Sequence, residues 1–200
     1  MPVKDCKTEH HIKDTAKRVF LTEGRMLATT QDIADAAGVN RTLLHYYFRS
    51  RDELFQQVFR EAVTNLRGSL HTVMVSEKPF RQKIEDLIDV YFHEALKYPY
   101  LETFIAVQLN EDPGHYKSIF QELPGGDERR KNFLKQMKEE AEKGAIADIK
   151  PLHFFISLFS LLAYPFIARP IYQNMFKMDD AAYNKLLKER KKVIISLMFK

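Results

Sequence analysis

Arg41, Thr42 and His45, with Tyr46 and Tyr47 beside them, are the residues of this chain best suited to recognition chemistry. Arginine can bond guanine O6 and N7 together, threonine can touch a thymine methyl, and a tyrosine hydroxyl can bond a phosphate oxygen. All five lie in RTLLHYYF, where Leu44 and Phe48 are four apart and form an apolar stripe able to pack on Ile33 and Ala37. A helix that only filled a core would have no use for an Arg, a Thr, a His and two phenols in one cluster.

Such a cluster works only if neighbouring elements hold and present it. Thr29 and Asp32 come close to a capping box, in which a hydroxyl and a carboxylate satisfy the free N–H groups of a first turn. Gly38 stands where that helix must stop, since glycine enters the left-handed region cheaply. Asn40 can cap RTLLHYYF, and Ser50 with Glu53 reads as a complete capping box for the helix after it. Two helices joined by a short Gly-containing turn form a helix-turn-helix, whose second helix enters the major groove of DNA.

From about Ile12 to Leu54 the chain resembles the TetR family of transcriptional regulators, with no insertion or gap. Ile12, Ala16, Phe20 and Gly24 match its first helix; Thr29, Asp32, Ile33 and Ala34 match its second. Gly38, Val39, Asn40, Arg41, Leu44, Tyr46, Phe48, Ser50, Glu53 and Leu54 match its turn, recognition helix and following cap. Thr42 replaces a frequent Gly, His45 a frequent Tyr and Tyr47 a frequent His, which alters the groove-facing surface. Together with positions at helix starts and on the exposed face, the resemblance assigns Thr29, Tyr46, Tyr47 and Arg51 to phosphates. It assigns Arg41, Thr42 and His45 to base edges. It also implies a homodimer on a palindromic double-stranded operator, a small-molecule effector and the role of a repressor. A helical protein–protein adaptor is the alternative reading. The Arg41, Thr42 and His45 face speaks against it, because an adaptor face would show apolar anchors.

The composition sets bounds around this reading. A hydrophobic content of 45% and charged content of 29% are those of an ordinary soluble protein, and a net charge of +4 suits a nucleic-acid binder without requiring one. The single cysteine, Cys6, excludes an intramolecular disulfide and a multi-cysteine metal site. The polar N-terminus MPVKDCKTEHHIK has no apolar signal region, so a cytoplasmic location is expected. The apolar run Leu152 to Ala168 is at the short limit for a membrane span and contains His153, Ser157, Ser160 and Pro165, so a buried core helix is expected instead. His93-Glu94 lacks the second histidine of a zinc helix, since Lys97 stands there, and Gly125-Gly126 lacks the Lys-Ser/Thr of a phosphate loop. No nucleophile–base pattern is present, so no enzyme activity, cofactor or metal is expected.

The remaining chain reads as helices. A first runs from about Glu9 to Glu23, and a fourth from Ser50 to about His71 with Leu54, Phe55, Val58, Phe59, Ala62, Val63, Leu66 and Leu70 on one face. A fifth lies between Pro79 and Pro99, and a sixth from Tyr100 to about Asn110. Residues 111–126 read as a loop with room for a short helix, followed by a seventh helix from Asp127 to Lys143. Gly144-x-Ile146-x-Asp148-x-x-Pro151 is similar to a run found late in the same family. An apolar eighth helix and a ninth beginning after Asp179 or Asp180 complete an all-α fold of about nine helices. The division expected is a DNA-binding domain over 1–54 and a ligand-binding and dimerisation domain over 55–200. Symmetry pairing of the last two helices through Leu158, Leu162, Leu187, Ile194 and Met198 would form the dimer. The family resemblance implies that some body aromatics line a pocket for a small apolar or aromatic effector. Phe92, Phe104, Phe133, Met137, Phe155 and Phe159 are the candidates.

Overall fold

The computed structural model describes residues 5–111 and 126–200, together forming ten α-helices and no strand. Most of the 111–126 segment therefore lies outside the described residues. Helix α1 (Cys6–Lys17) starts where the Asp5 carboxylate accepts from the Lys7 N–H at 3.0 Å, and it closes in a π turn over Arg18–Thr22. Helix α2 (Thr30–Ala36), α3 (Arg41–Tyr47) and α4 (Arg51–Val75) follow. Ile12, Ala16, Val19, Phe20, Ile33, Ala34, Leu44, Phe48 and Leu54 are fully buried and tie the head together. The apolar spacing read from the sequence generates this core.

Two caps differ from the sequence reading. At Thr29 the capping box is complete. At Ser50 only half of it forms: Ser50 Oγ accepts from the Glu53 N–H at 3.0 Å. The Glu53 carboxylate instead accepts from Gln57 Nε2 at 3.4 Å, one turn further along the same helix.

Helix α4 has 25 residues, or about 37 Å at the standard rise. It packs on α1 at its start and on α5 (Phe80–Lys97) further along. Helix α5 is central to the body, touching α4, α7 (Gly126–Glu142), α8 (Pro151–Ile167) and α10 (Asp180–Met198). Helix α6 (Leu101–Glu111) lies between α4 and α8.

Helix α9 (Arg169–Phe176) is absent from the sequence reading. Pro170 opens it, and it turns 67° from α8. It ends at Lys177 with φ of 51°, so no glycine marks the stop. Among the described residues no single helix is long and apolar enough to cross a membrane.

The head meets the body at one corner. The Tyr100 N–H donates to the Leu21 carbonyl at 3.1 Å, and Thr22 Oγ1 donates to the Lys97 carbonyl at 3.2 Å. Gly24, at φ of 69°, lies so close to the Tyr100 ring that a Cβ there would sit 2.7 Å from it. Below this corner Phe55 of α4 meets Phe104 of α6 at 5.1 Å between ring centres, and Gln56 Nε2 donates to Gln108 Oε1 at 2.9 Å.

Candidate nucleic-acid interface

Helix α3 is held from behind and open in front. Asn40 Oδ1 accepts from the Leu43 N–H at 2.7 Å and starts the helix, while Leu44 and Phe48 are fully buried against the head core. Gly38 has φ of 64° with open space where a Cβ would stand, so its backbone conformation, not crowding, calls for glycine. Arg41, Thr42, His45 and Tyr46 are exposed together on the opposite side. Arg41 Nε–H donates to His45 Nε2 at 3.3 Å, one turn apart, which aligns the two side chains along the helix. The helix thus presents outward a guanidinium, a hydroxyl and an imidazole, groups of the kind that can pair with base edges.

The four residues assigned to phosphates fare differently. Tyr46 is exposed beside Arg41, Thr42 and His45. Thr29 is exposed, and its hydroxyl sits within its own cap, accepting from the Asp32 N–H at 3.2 Å and donating to Asp32 Oδ2 at 2.6 Å. Hydrogen bonds from the Thr29 hydroxyl and N–H, with the charge of Arg25, hold the Asp32 carboxyl below its usual range.

Tyr47 is a correction. It is only 8% exposed, and its hydroxyl accepts from the Asp5 N–H at 3.1 Å. Three residues after Leu44 it falls on the apolar face, because a helix advances about 100° per residue. Arg51 is a second correction. Its Nε–H donates to the Ala28 carbonyl at 3.2 Å, Nη2 donates to the Met26 carbonyl, and Nη1 donates to Asp52 at 3.0 Å. Its guanidinium also lies over Phe20 at 5.0 Å and Phe55 at 5.4 Å. Arg51 thus clamps the α1–α2 loop onto α4. Arg49, immediately after α3, is an exposed cation that sequence reasoning passed over. Over residues 12–58 there are seven Lys and Arg and six Asp and Glu, a formal balance of 7 − 6 = +1.

The expected body sites also move. Phe92, Phe104, Phe133 and Met137 are buried, and Phe155 packs on Phe133 at 5.2 Å. Phe133 also packs at a tilt on Phe80 at 5.1 Å, and Phe92 meets Phe166 at 5.9 Å. Most of the candidate lining is therefore aromatic core. Met137 lines a cavity of about 690 Å³ with Leu134, Ala141, Ile149 and Pro151 and with the charged Lys131, Lys135, Lys138, Asp148 and Lys150, while Phe159 points outward and is 38% exposed. Leu158, Leu162, Leu187, Ile194 and Met198 are covered within the protomer and present no face to a second copy. The exposed apolar stripes on the same helices are Leu152, Ile156 and Phe159 on α8 and Leu186, Val193 and Leu197 on α10. Each helix carries two apolar stripes, and spacing alone does not say which one faces inward.

Residues 12–58 match the model of the bacterial regulatory proteins of the tetR family. The regulator BetI of Rhizobium meliloti is 33% identical over 79 residues, which cover 40% of this chain and 39% of that relative. The chain thus matches only about two fifths of that relative's length. Similarity of fold extends further. The probable transcriptional regulatory protein RHA5900 gives a TM-score of 0.65 at 16% identity, over 94% of this chain and 97% of its own. The ketosteroid transcriptional regulator KstR2 of Mycobacterium tuberculosis gives 0.64 at 14% identity, over 99% and 97%. Residues 12–58 thus carry the helix-turn-helix sequence of the tetR family of bacterial regulatory proteins, and over nearly the whole chain the fold is similar to that of solved transcriptional regulators.

Proposed function

We propose that this protein is a ligand-responsive repressor of transcription that binds a palindromic DNA operator as a homodimer. The observation that carries the reading is the outward face of α3, where Arg41, Thr42, His45 and Tyr46 stand exposed on a helix anchored by Leu44 and Phe48. Residues 1–54 act as the DNA-binding domain and 55–200 as the ligand-binding and dimerisation domain, with α4 running from one into the other. The exposed stripes of α8 and α10 pair with their symmetry mates in a four-helix contact, which places two α3 helices on successive major grooves. This reading assigns the protein no enzyme activity and a cytoplasmic location.

The effector is small and mainly apolar or aromatic, entering the body beside Met137 and the Phe133 cluster. It acts through α6, which follows Tyr100 at the contact with the head and packs on the start of α4 through Phe104 and Gln108. An effector that favours a shifted α6 moves α4 and changes the spacing of the two heads. It must bind that state better than the DNA-bound state, and operator and effector must then weaken each other by the same factor. The DNA reading is tested with operator variants. Thr42→Ala and His45→Ala should each change the preferred base at a defined position by about 1–3 kcal/mol. A uniform loss across all sequences would sink the assignment.

A further inference from the structure

Between the C-terminal end of α4, the turn after it and α7 lies a cavity of about 450 Å³. Lys83 reaches it from α5 and is only 4% exposed. Its ammonium has three donors, and among the described residues it donates only to the Met74 carbonyl, at the long distance of 3.5 Å. No carboxylate of the described residues pairs with it. Glu77 and Glu139 also line the cavity, and Glu139 pairs with Lys135 at 3.9 Å. Burial holds the Lys83 ammonium below its ordinary range. Gln136 of α7 lines the same cavity, and its side-chain oxygen is buried without a partner among the described residues. Ser76, Asn132 and Lys135 complete the polar lining. A buried cation short of an anion, in one cavity with a buried acceptor short of a donor, is costly and suited to a molecule carrying both groups.

We infer that this cavity binds a small hydroxylated organic anion, its carboxylate or phosphate on Lys83 and its hydroxyl donating to Gln136. This cavity shares Lys135 of α7 with the cavity beside Met137, and the inference does not depend on the DNA-binding reading. It lies at the far end of α4 from the head, so its occupancy stiffens the junction of α4, α5 and α7.

Thermal unfolding and calorimetric titration at constant ionic strength test the inference. Malate represents the hydroxycarboxylates, glycerol 3-phosphate the phosphates, succinate lacks the hydroxyl, and glycerol lacks the charge. At about 10 mM, well above a millimolar dissociation constant, malate or glycerol 3-phosphate should raise the melting temperature saturably by a few degrees. Glycerol should not. Lys83→Met should raise the melting temperature of the unliganded protein and abolish the anion effect. Gln136→Leu should keep anion binding and erase the preference for malate over succinate. The inference is overturned if neither anion exceeds sodium chloride of equal ionic strength on the unmodified protein. It is equally overturned if Lys83→Met destabilises or unfolds the chain, which would make Lys83 a structural cap of α4.

Discussion

Arg51→Ala separates a structural clamp from a DNA contact. The guanidinium donates to the Ala28 and Met26 carbonyls and lies over Phe20 and Phe55, with its side chain 30% exposed. A hydrogen bond from a charged donor contributes about 1.5–3 kcal/mol, and a cation over an aromatic ring about 0.5–1 kcal/mol. Partial exposure lets water replace some of this, and the pair with the solvent-facing Asp52 adds little. The expected loss is about 2–4 kcal/mol, a large share of the roughly 5–15 kcal/mol that holds an ordinary protein folded. Urea titration should show it directly, and the melting temperature should fall by roughly 5–15 °C. Arg51→Lys should lose about half as much, since one ammonium cannot serve both carbonyls and stack on two rings. Operator binding below the melting temperature gives the second readout. A phosphate contact would contribute close to 0.9 to the slope of log affinity against log salt for each protomer. The clamp predicts an unchanged slope. A slope reduced by about one per protomer, with stability unaltered, would refute the reasoning.

Three other perturbations probe the rest of the structure. Gly24→Ala forces a side chain into a left-handed conformation and onto the Tyr100 ring, so it should cost about 1–3 kcal/mol in urea unfolding; a neutral effect would contradict the packing at that corner. Leu197→Glu should give a folded monomer by light scattering, whereas Leu187→Glu, which buries a charge in the protomer core, should unfold it; the reverse pattern would return the interface to Leu187. Burial raises the Glu102 carboxyl above its ordinary 4.5, with the Tyr91 hydroxyl offsetting part of the shift. The folded chain therefore holds that proton where the unfolded chain releases it, and stability falls as pH rises from about 4.5 through the raised value. Glu102→Gln should flatten this fall and stabilise the protein at neutral pH; an unchanged pH profile would remove Glu102 as its cause.

The head was legible in the sequence because short-range chemistry specifies it. Thr29, Gly38, Asn40 and Ser50 each act within three residues, and Ile12, Ile33, Leu44 and Leu54 repeat at helical spacing. Tyr47 was legible too, by its distance from Leu44, but its hydroxyl drew it to the DNA side of the reading. Arg51 was not, because its partners Met26 and Ala28 are backbone carbonyls 25 and 23 residues away. The body was readable as helices and not as faces. On α8 and α10 two apolar stripes compete, and tertiary packing chooses Leu158 and Leu187 for the inside. Helix α9 escaped because it is short, opens at Pro170 directly after α8 and stops at Lys177 with no glycine to mark its end.

The central claim is that the outward face of α3 reads DNA sequence. Selection from random duplex DNA with the purified protein, at a stated salt concentration, tests it most directly. The account predicts enrichment of an inverted repeat with half-sites about 10 base pairs or a multiple apart, bound at least roughly a thousandfold tighter than random DNA. It also predicts that changing Arg41, Thr42 and His45 together to alanine abolishes the enrichment while the protein stays folded and dimeric. Recovery of the same repeat by that triple variant, or no enriched sequence with the unmodified protein, would contradict it.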